Sequence, residues 1–262
     1  MSLVEMGMSR IAVISDIHGN LPALDAVFAE IDRLRFIDVI CLGDVVGYGS
    51  QPELCLERLT GRCMVILRGN HEDALLDPTL GESFNPVARV ALEWTRRRLT
   101  PQHLAMVTPM RAVFDRSPYL MCVHDTPVPP AATGYVGDPS TAALAFRGVD
   151  ARVCLVGHTH VPMAFHTESE RCEDRLGYLD VEATILHPAE PYKLRPIGRH
   201  ILNPGSVGQP RDGDPRASFA SLDLQEGLFE LHRVEYDVRE AQRQMRRAGL
   251  PDLLAHRLAV GA

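Results

Sequence analysis

Five short apolar runs in this 262-residue chain each stop on residues that ligate metals or turn the backbone. Val13-Ile14-Ser15 runs into Asp16-Ile17-His18-Gly19-Asn20, and Ile40-Cys41-Leu42 into Gly43-Asp44-Val45-Val46-Gly47. Val65-Ile66-Leu67 meets Arg68-Gly69-Asn70-His71-Glu72. Leu120-Met121-Cys122-Val123 ends at His124, and Val153-Cys154-Leu155-Val156 at Gly157-His158-Thr159-His160. Runs this short and this apolar read as buried strands. Between the first three lie stretches of helical spacing: 21–35, with Leu24, Val27, Phe28, Ile31 and Leu34 on one face, and 52–59. Strand and helix in alternation predict a parallel sheet with helical crossovers. Ligand groups in such sheets gather beyond the carboxyl ends of the strands. The chain is therefore expected to be α/β, with five strand ends meeting at one site, in an order a parallel sheet can bring together.

The rest of the chain fits around that expectation. Helical spacing predicts a helix over 86–99, with Val87, Val90, Ala91, Trp94 and Leu99 as its apolar face, and others over 101–106 and 139–146. Strands are expected at 111–114 and 119–123, joined by a turn at Arg116-Ser117-Pro118. After Val161 alternation and turn residues dominate, at 163–166, 199–202, 217–224 and 228–236. This texture predicts a second, antiparallel sheet packed on the first, followed by helices over 238–248 and after Pro251. No repeat or linker interrupts the sequence. One domain over 8–262 is expected, with 1–7 an extension or cloning remnant and Met8 the natural start.

Net charge is −7 with histidine neutral, which argues against general nucleic-acid binding, since that needs a basic face. It does not argue against a phosphorylated substrate, because bound cations can set the local field. Cysteines at 41, 55, 63, 122, 154 and 172 form no C-x-x-C pair, and several fall inside strand runs. A reduced, cytoplasmic protein is the plain expectation. No apolar run is long enough to span a bilayer, and no secretory signal is evident.

Each motif alone has a bland reading. Asp16 and His18 could be turn formers, Gly43-Asp44 an ordinary turn, Asn70-His71-Glu72 a helix cap, His124 a satisfied core histidine, and His158 with His160 a solvated pair. The set changes the odds, because all five sit at strand ends. Imidazole with carboxylate suits Mn, Fe, Zn, Ni or Co better than Ca or Mg. No cysteine lies in the cluster, so a thiolate zinc site is not expected. Asp44 is expected at the centre, bridging two ions. Two divalent ions with Asp16 and Asp44 leave a net positive charge that suits a phosphate. Such ions stand roughly 3.5–4 Å apart and clamp the attacking and leaving oxygens, with a hydroxide between them as nucleophile. His71, adjacent to Asn70 and not needed as a ligand, is the candidate proton donor to the leaving group.

D-x-H, G-D, G-N-H-E, a lone H and G-H-x-H, in this order, resemble the calcineurin-like metallophosphoesterases. The likeness continues through Gly43-Asp44-Val45-Val46-Gly47-Tyr48-Gly49, Gly157-His158-Thr159-His160-Val161-Pro162, and the segment from Asn203 through Pro204, Gly205 and Ser206 to Pro210. These segments and Ala248-Gly249-Leu250-Pro251 look like a bacterial and archaeal branch of small phosphoesterases. The resemblance implies a four-layer αββα sandwich of two packed mixed sheets flanked by helices. It implies that Asp16, His18, Asp44 and His160 hold one divalent transition-metal ion, and Asp44, Asn70, His124 and His158 a second, with Mn the first choice. His71 would contact the substrate phosphate and assist the leaving group. The implied activity is hydrolysis of a phosphodiester or phosphomonoester on a small phosphorylated substrate. Protein, nucleotide or dinucleoside-polyphosphate phosphatases and a non-catalytic scaffold are the alternatives within the superfamily. One departure is visible: the branch has glycine after the lone histidine, whereas this chain has Asp125. A carboxylate there could repel an anion or reach a metal.

Weaker candidates remain. Arg211 and Arg216 follow the Asn203 segment and could touch phosphate, with Arg211 preferred beside Asn70 and His71 as a substrate contact. Tyr48 could line the pocket or simply cover a strand end. Arg96-Arg97-Arg98 reads as an exposed helix face. The arginine-rich stretch 239–247 reads similarly, with an apolar side that could serve a homodimer. His166, His187 and His200 lie outside the constellation.

Overall fold

Alternate residues of the first strand face opposite ways, and both directions are buried. Ile11 and Val13 enter one apolar cluster, Ala12 and Ile14 another. A strand covered on both faces must lie inside a layered structure. The computed structural model describes residues 10–128, 134–169 and 179–262. In chain order it contains β1 (Arg10–Ile14), α1 (Leu21–Arg33), β2 (Asp38–Cys41), α2 (Pro52–Leu59), β3 (Val65–Ile66), α3 (Asn70–Leu76), α4 (Pro86–Arg98) and α5 (Pro101–Val107). Then come β4 (Val113–Arg116), β5 (Leu120–Val123), α6 (Pro139–Ala145), β6 (Val153–Leu155), β7 (Met163–Thr167), β8 (Glu182–Ile185), β9 (Tyr192–Lys193) and β10 (Arg199–Asn203). β11 (Ala217–Asp223), β12 (Leu228–Val234), α7 (Val238–Arg247) and α8 (Asp252–Val260) complete it.

Two six-stranded sheets result, ordered β3-β2-β1-β11-β12-β9 and β4-β5-β6-β10-β7-β8. Both are mixed: β1, β2 and β3 run parallel, as do β5, β6 and β10, and the remaining pairs are antiparallel. Ile11, Val13, Ile40 and Leu42 of the first sheet meet Leu120, Cys122, Val153, Leu155 and Leu202 of the second, forming the core between them. α1 and α2 cover the outer face of the first sheet, and α6 that of the second. The αββα sandwich is as expected.

Its wiring is not. The expected division into an early parallel sheet and a late antiparallel one fails. β11 pairs with β1, and β4 to β6 join the second sheet. The five strand ends therefore do not belong to one parallel sheet. Three come from the first and two from the second, meeting at a common edge. Alternation marks strands but says nothing of which sheet they enter. The short β8 and β9 escape the pattern altogether.

The predicted face of α4 also needs correction. Val90 is 53% exposed, while Ala88, Ala91, Leu92 and Thr95 are buried. The buried stripe is narrower and made of smaller residues than the large apolar side chains suggest. Asn85 accepts from the Ala88 N–H at 2.9 Å and Pro86 opens the first turn, so this helix starts where its cap residues dictate.

Candidate metal centre

The strand ends are sewn together before any side chain acts. The Asp16 N–H donates to the Gly43 carbonyl at 3.0 Å, His18 N–H to Asp44 at 2.9 Å, and Gly157 N–H to His124 at 2.8 Å. The loop after β10 closes the circle, with Val207 N–H donating to Ser15 and Gly208 N–H to Asp16, each at 2.9 Å. Asp16, His18, Asp44, Tyr48, His158 and His160 all adopt left-handed backbone, with φ between 48 and 65°. That conformation costs an L-residue about 1–2 kcal/mol. Six such residues around one point are a concentration of strain of the kind that marks functional sites. Gly43, at φ 111°, permits the closest approach: a Cβ there would stand 2.7 Å from the Gly69 nitrogen.

The expected residues converge. His160 Nε2 lies 3.3 Å from Asp16 Oδ1, His18 Nε2 3.6 Å from Asp44 Oδ2, and His124 Nε2 3.2 Å from Asp44 Oδ2. Three groups of possible ligand atoms form: Asp16 with His18 and His160, Asp44 with His124 and His158, and His18 with Asp44 and His71. Asp44 is common to two of them. The third brings His71 within 4.8 Å of the His18 and Asp44 ligand atoms, farther from the carboxylate than His18 and His124 stand.

The imidazoles are oriented from behind. Nδ1 of His18 lies 3.0 Å from the Val46 carbonyl, that of His124 3.0 Å from Leu42, and that of His160 2.6 Å from Gln209. A carbonyl only accepts, so each Nδ1 carries a proton, and in the neutral rings of His18 and His160 Nε2 presents a lone pair. Nε2 of His18 and His160 then face each other 3.1 Å apart. Two lone pairs at that distance repel unless a cation or proton lies between them. Asp16 Oδ1 and Asn70 Oδ1 are buried and accept no hydrogen bond, which is costly for a polar atom without a partner. Oxygen and imidazole donors without thiolate suit a borderline divalent ion. The donor set fits the divalent metals that the resemblance implies.

Charge follows the same logic. Burial raises the Asp16 carboxyl to about 6. Burial would also raise Asp44, but His124 and His71 outweigh it and hold Asp44 well below its ordinary range. Burial opposes charge on His124, yet Asp44, with Asp16 behind it, pushes that ring up to about 10. His18 and His160 are held well below their ordinary value by burial, and burial takes His158 down to about 3.

The helix-cap reading of Asn70-His71-Glu72 holds for Glu72, which accepts from the Gly69 N–H and also proves structural to the site. Its fully buried carboxylate accepts from the N–H groups of Asp44 (2.9 Å), Gly69 (2.9 Å) and Val46 (3.0 Å). It thereby ties the β2 loop to the start of α3. The signal was an acidic residue three positions after a glycine that opens a helix.

Above the centre lies a cleft of about 430 Å³, walled by Tyr48, Phe84, Tyr135 and Arg211, with Asn70, His71, His158 and His160 on its floor. Tyr48 thus lines the pocket. Tyr135 stacks on His158, centroids 4.1 Å apart. Arg211 holds Gln209 Oε1 at 3.1 Å and lies over the Tyr48 ring. Arg216 is elsewhere, paired with Asp214 at 2.6 Å. Asp125 accepts from the Thr126 N–H at 2.7 Å and does not line the cleft.

Residues 9–227 match the family model of the calcineurin-like phosphoesterase superfamily domain. An uncharacterized protein of Methanocaldococcus jannaschii is 32% identical over 259 residues, covering 98% of this chain and 100% of that one. A metallophosphoesterase from Sphaerobacter thermophilus superposes with a TM-score of 0.81 at 38% identity, covering 97% of this chain and 99% of that one. A hypothetical protein from Pyrococcus horikoshii shares the fold with a TM-score of 0.73 at 18% identity, covering 97% and 98%. On its sequence, its fold and its cluster of buried aspartates and histidines, the chain belongs to the calcineurin-like phosphoesterase superfamily.

Proposed function

We propose that this chain is a dinuclear metal-dependent phosphoesterase that cleaves a small phosphorylated substrate by direct attack of hydroxide, without a covalent enzyme intermediate. The observation that carries the reading is the pair of Nε2 lone pairs of His18 and His160 facing each other at 3.1 Å beside Asp16. Asp16, His18, Asp44 and His160 are the proposed ligands of one ion, and Asp44, Asn70, His124 and His158 of the other. Divalent ions there, manganese as first choice, would supply Lewis acidity to the phosphoryl group and a water of lowered pKa.

The chain's own groups do the rest. Arg211 and the Asn70 amide flank the cleft mouth and floor and would hold the non-bridging phosphoryl oxygens. The His71 backbone N–H donates to Asp44 Oδ1 at 3.0 Å, which fixes the ring's base, and Tyr48 and Phe84 hold its faces. His71 Nδ1 is buried without a partner. Burial keeps the ring below its ordinary pKa. An anionic phosphate arriving opposite it would raise that value, so the ring could take up a proton and pass it to the leaving oxygen.

The test is hydrolysis of bis-p-nitrophenyl phosphate against p-nitrophenyl phosphate by chelated protein reloaded with Mn²⁺, with His71→Ala alongside. The variant should keep its metal content and lose about 10²–10⁴-fold in turnover. Preference for the diester supports a phosphodiesterase, and preference for the monoester a phosphatase. Failure to cleave either ester with Mn²⁺, Ni²⁺ or Zn²⁺ would overturn the reading. Loss of metal from His71→Ala would make His71 a ligand instead of the acid.

A further inference from the structure

Two arginine runs lie about 150 positions apart in the sequence, and the fold brings them to one groove. Arg97 and Arg98 come from the end of α4, and Arg247 from the end of α7. Trp94, also of α4, lines the same groove. Its indole N–H donates to the Ala248 carbonyl at 2.9 Å, and its ring packs against the apolar cluster of α4, α7 and α8. The groove holds about 560 Å³, within the usual range for small-molecule sites.

The charges in this groove are unequal in kind. Neighbouring arginines are neutralised: Arg96 pairs with Glu93, Arg243 with Glu240, Arg246 with Asp252, and Arg98 with Glu53. Among the described residues Arg97 and Arg247 have no carboxylate within ion-pair distance; Arg247 acts on Glu240 only through longer-range attraction, Glu240 being bonded to Arg243. Two unpaired guanidinium groups across one groove are notable in a chain of net charge −7, because nothing in the overall composition favours them. Gln51 also lines the groove, and its Oε1 is buried with no partner. The groove thus offers two cationic forks, an aromatic wall and a waiting acceptor. Arginine forks match phosphate oxygens, an indole face accepts a planar ring, and the amide oxygen can take an amino or hydroxyl proton.

We propose that the groove between α4 and α7 is a second binding site, separate from the metal cleft, for a nucleoside phosphate. The phosphate lies between Arg97 and Arg247 and the base against Trp94. The two sites are neighbours without being one. Ala88 of α4 lines the cleft and Arg98 the groove, ten residues apart, or about 15 Å along the helix. Tyr48 walls the cleft, and Ser50 and Gln51, just beyond it, wall the groove.

The chain supplies its own reporter, since Trp94 is its only tryptophan. Fluorescence of metal-loaded protein should be titrated with α,β-methylene adenosine diphosphate and, separately, with methylenediphosphonate. The nucleotide analogue should produce a saturable change, with methylenediphosphonate binding about tenfold more weakly. The double variant R97Q/R247Q should weaken the nucleotide analogue at least about tenfold. Its hydrolysis of model esters should be unchanged, because neither arginine touches the cleft. No saturable change, or equal affinity in the double variant, would overturn the site. Equal affinity for methylenediphosphonate would overturn recognition of the base. The fluorescence readouts do not require the phosphoesterase reading to hold.

Discussion

Two close pairs of buried histidines bear comparison, one stacked and one tilted. His18 and His160 stand in the metal-site cluster with centroids 4.9 Å apart, and His166 and His200 in the second sheet at 4.8 Å. All four are nearly inaccessible. They differ in wiring. In the first pair each Nδ1 is taken by a carbonyl, and both Nε2 atoms are aimed at each other and at carboxylates. In the second, His166 Nε2 meets the Ile197 carbonyl at 3.0 Å, while His200 Nδ1 meets the Tyr192 hydroxyl at 3.1 Å and its Nε2 the Arg195 carbonyl at 3.4 Å. Buried histidine is thus no sign of a site by itself. An open nitrogen next to a carboxylate is. The second pair joins sheets, because Tyr192 belongs to β9 of the first and His200 to β10 of the second.

The contrast can be broken by exchanging outcomes. H160A should lose at least about 100-fold in turnover, since even losing a partner behind a metal ligand costs about 10–100-fold. Without metal, relief of the lone-pair repulsion offsets part of the cost of the cavity and the lost Gln209 contact, so its stability should fall less than that of H200Q. H200Q should do the opposite, keeping turnover within about twofold and losing about 1–3 kcal/mol of stability. Turnover with a thermal melt of both variants decides it; similar profiles would erase the distinction. Glu72→Gln sharpens it from behind the site. Removing the charge that gathers three backbone N–H groups should weaken metal affinity about 10–100-fold, read by titration with a metallochromic indicator.

A smaller effect concerns pH. Burial lowers His200 to about 4 in the folded protein, against 6.5 ordinarily. The unfolded chain therefore binds this proton first as pH falls. The His200 contribution is complete above pH 6.5, declines between 6.5 and 4, and levels off below. Urea melts of wild type and H200Q across that interval should converge as pH falls. Parallel curves would show that His200 stays out of the titration.

Much of this was legible in the sequence, for a physical reason. Strand runs that stop on Asp, His or Asn report both a buried segment and what waits at its end, so the six expected Asp and His residues converge and Asn70 lines the cleft beside them. Sheet membership was not legible. Val153 to Val156 looks like any buried strand, and only long-range pairing with β5 and β10 places it in the second sheet. Glu72 is legible as a cap residue three positions after Gly69, but its reach to the N–H groups of Asp44 and Val46 depends on the fold and has no local signature. The arginine runs were read as solvated faces because nothing local tells that α4 and α7 end at one groove.

Asp44 is proposed to unite two metal positions, and metal content is the readout closest to that role. Protein reloaded with Mn²⁺ and gel-filtered should be analysed by inductively coupled plasma mass spectrometry, wild type beside Asp44→Asn. Wild type should hold about two ions per chain and the variant one or none, with esterase activity lost in parallel. Equal metal content and activity in the two proteins would contradict it.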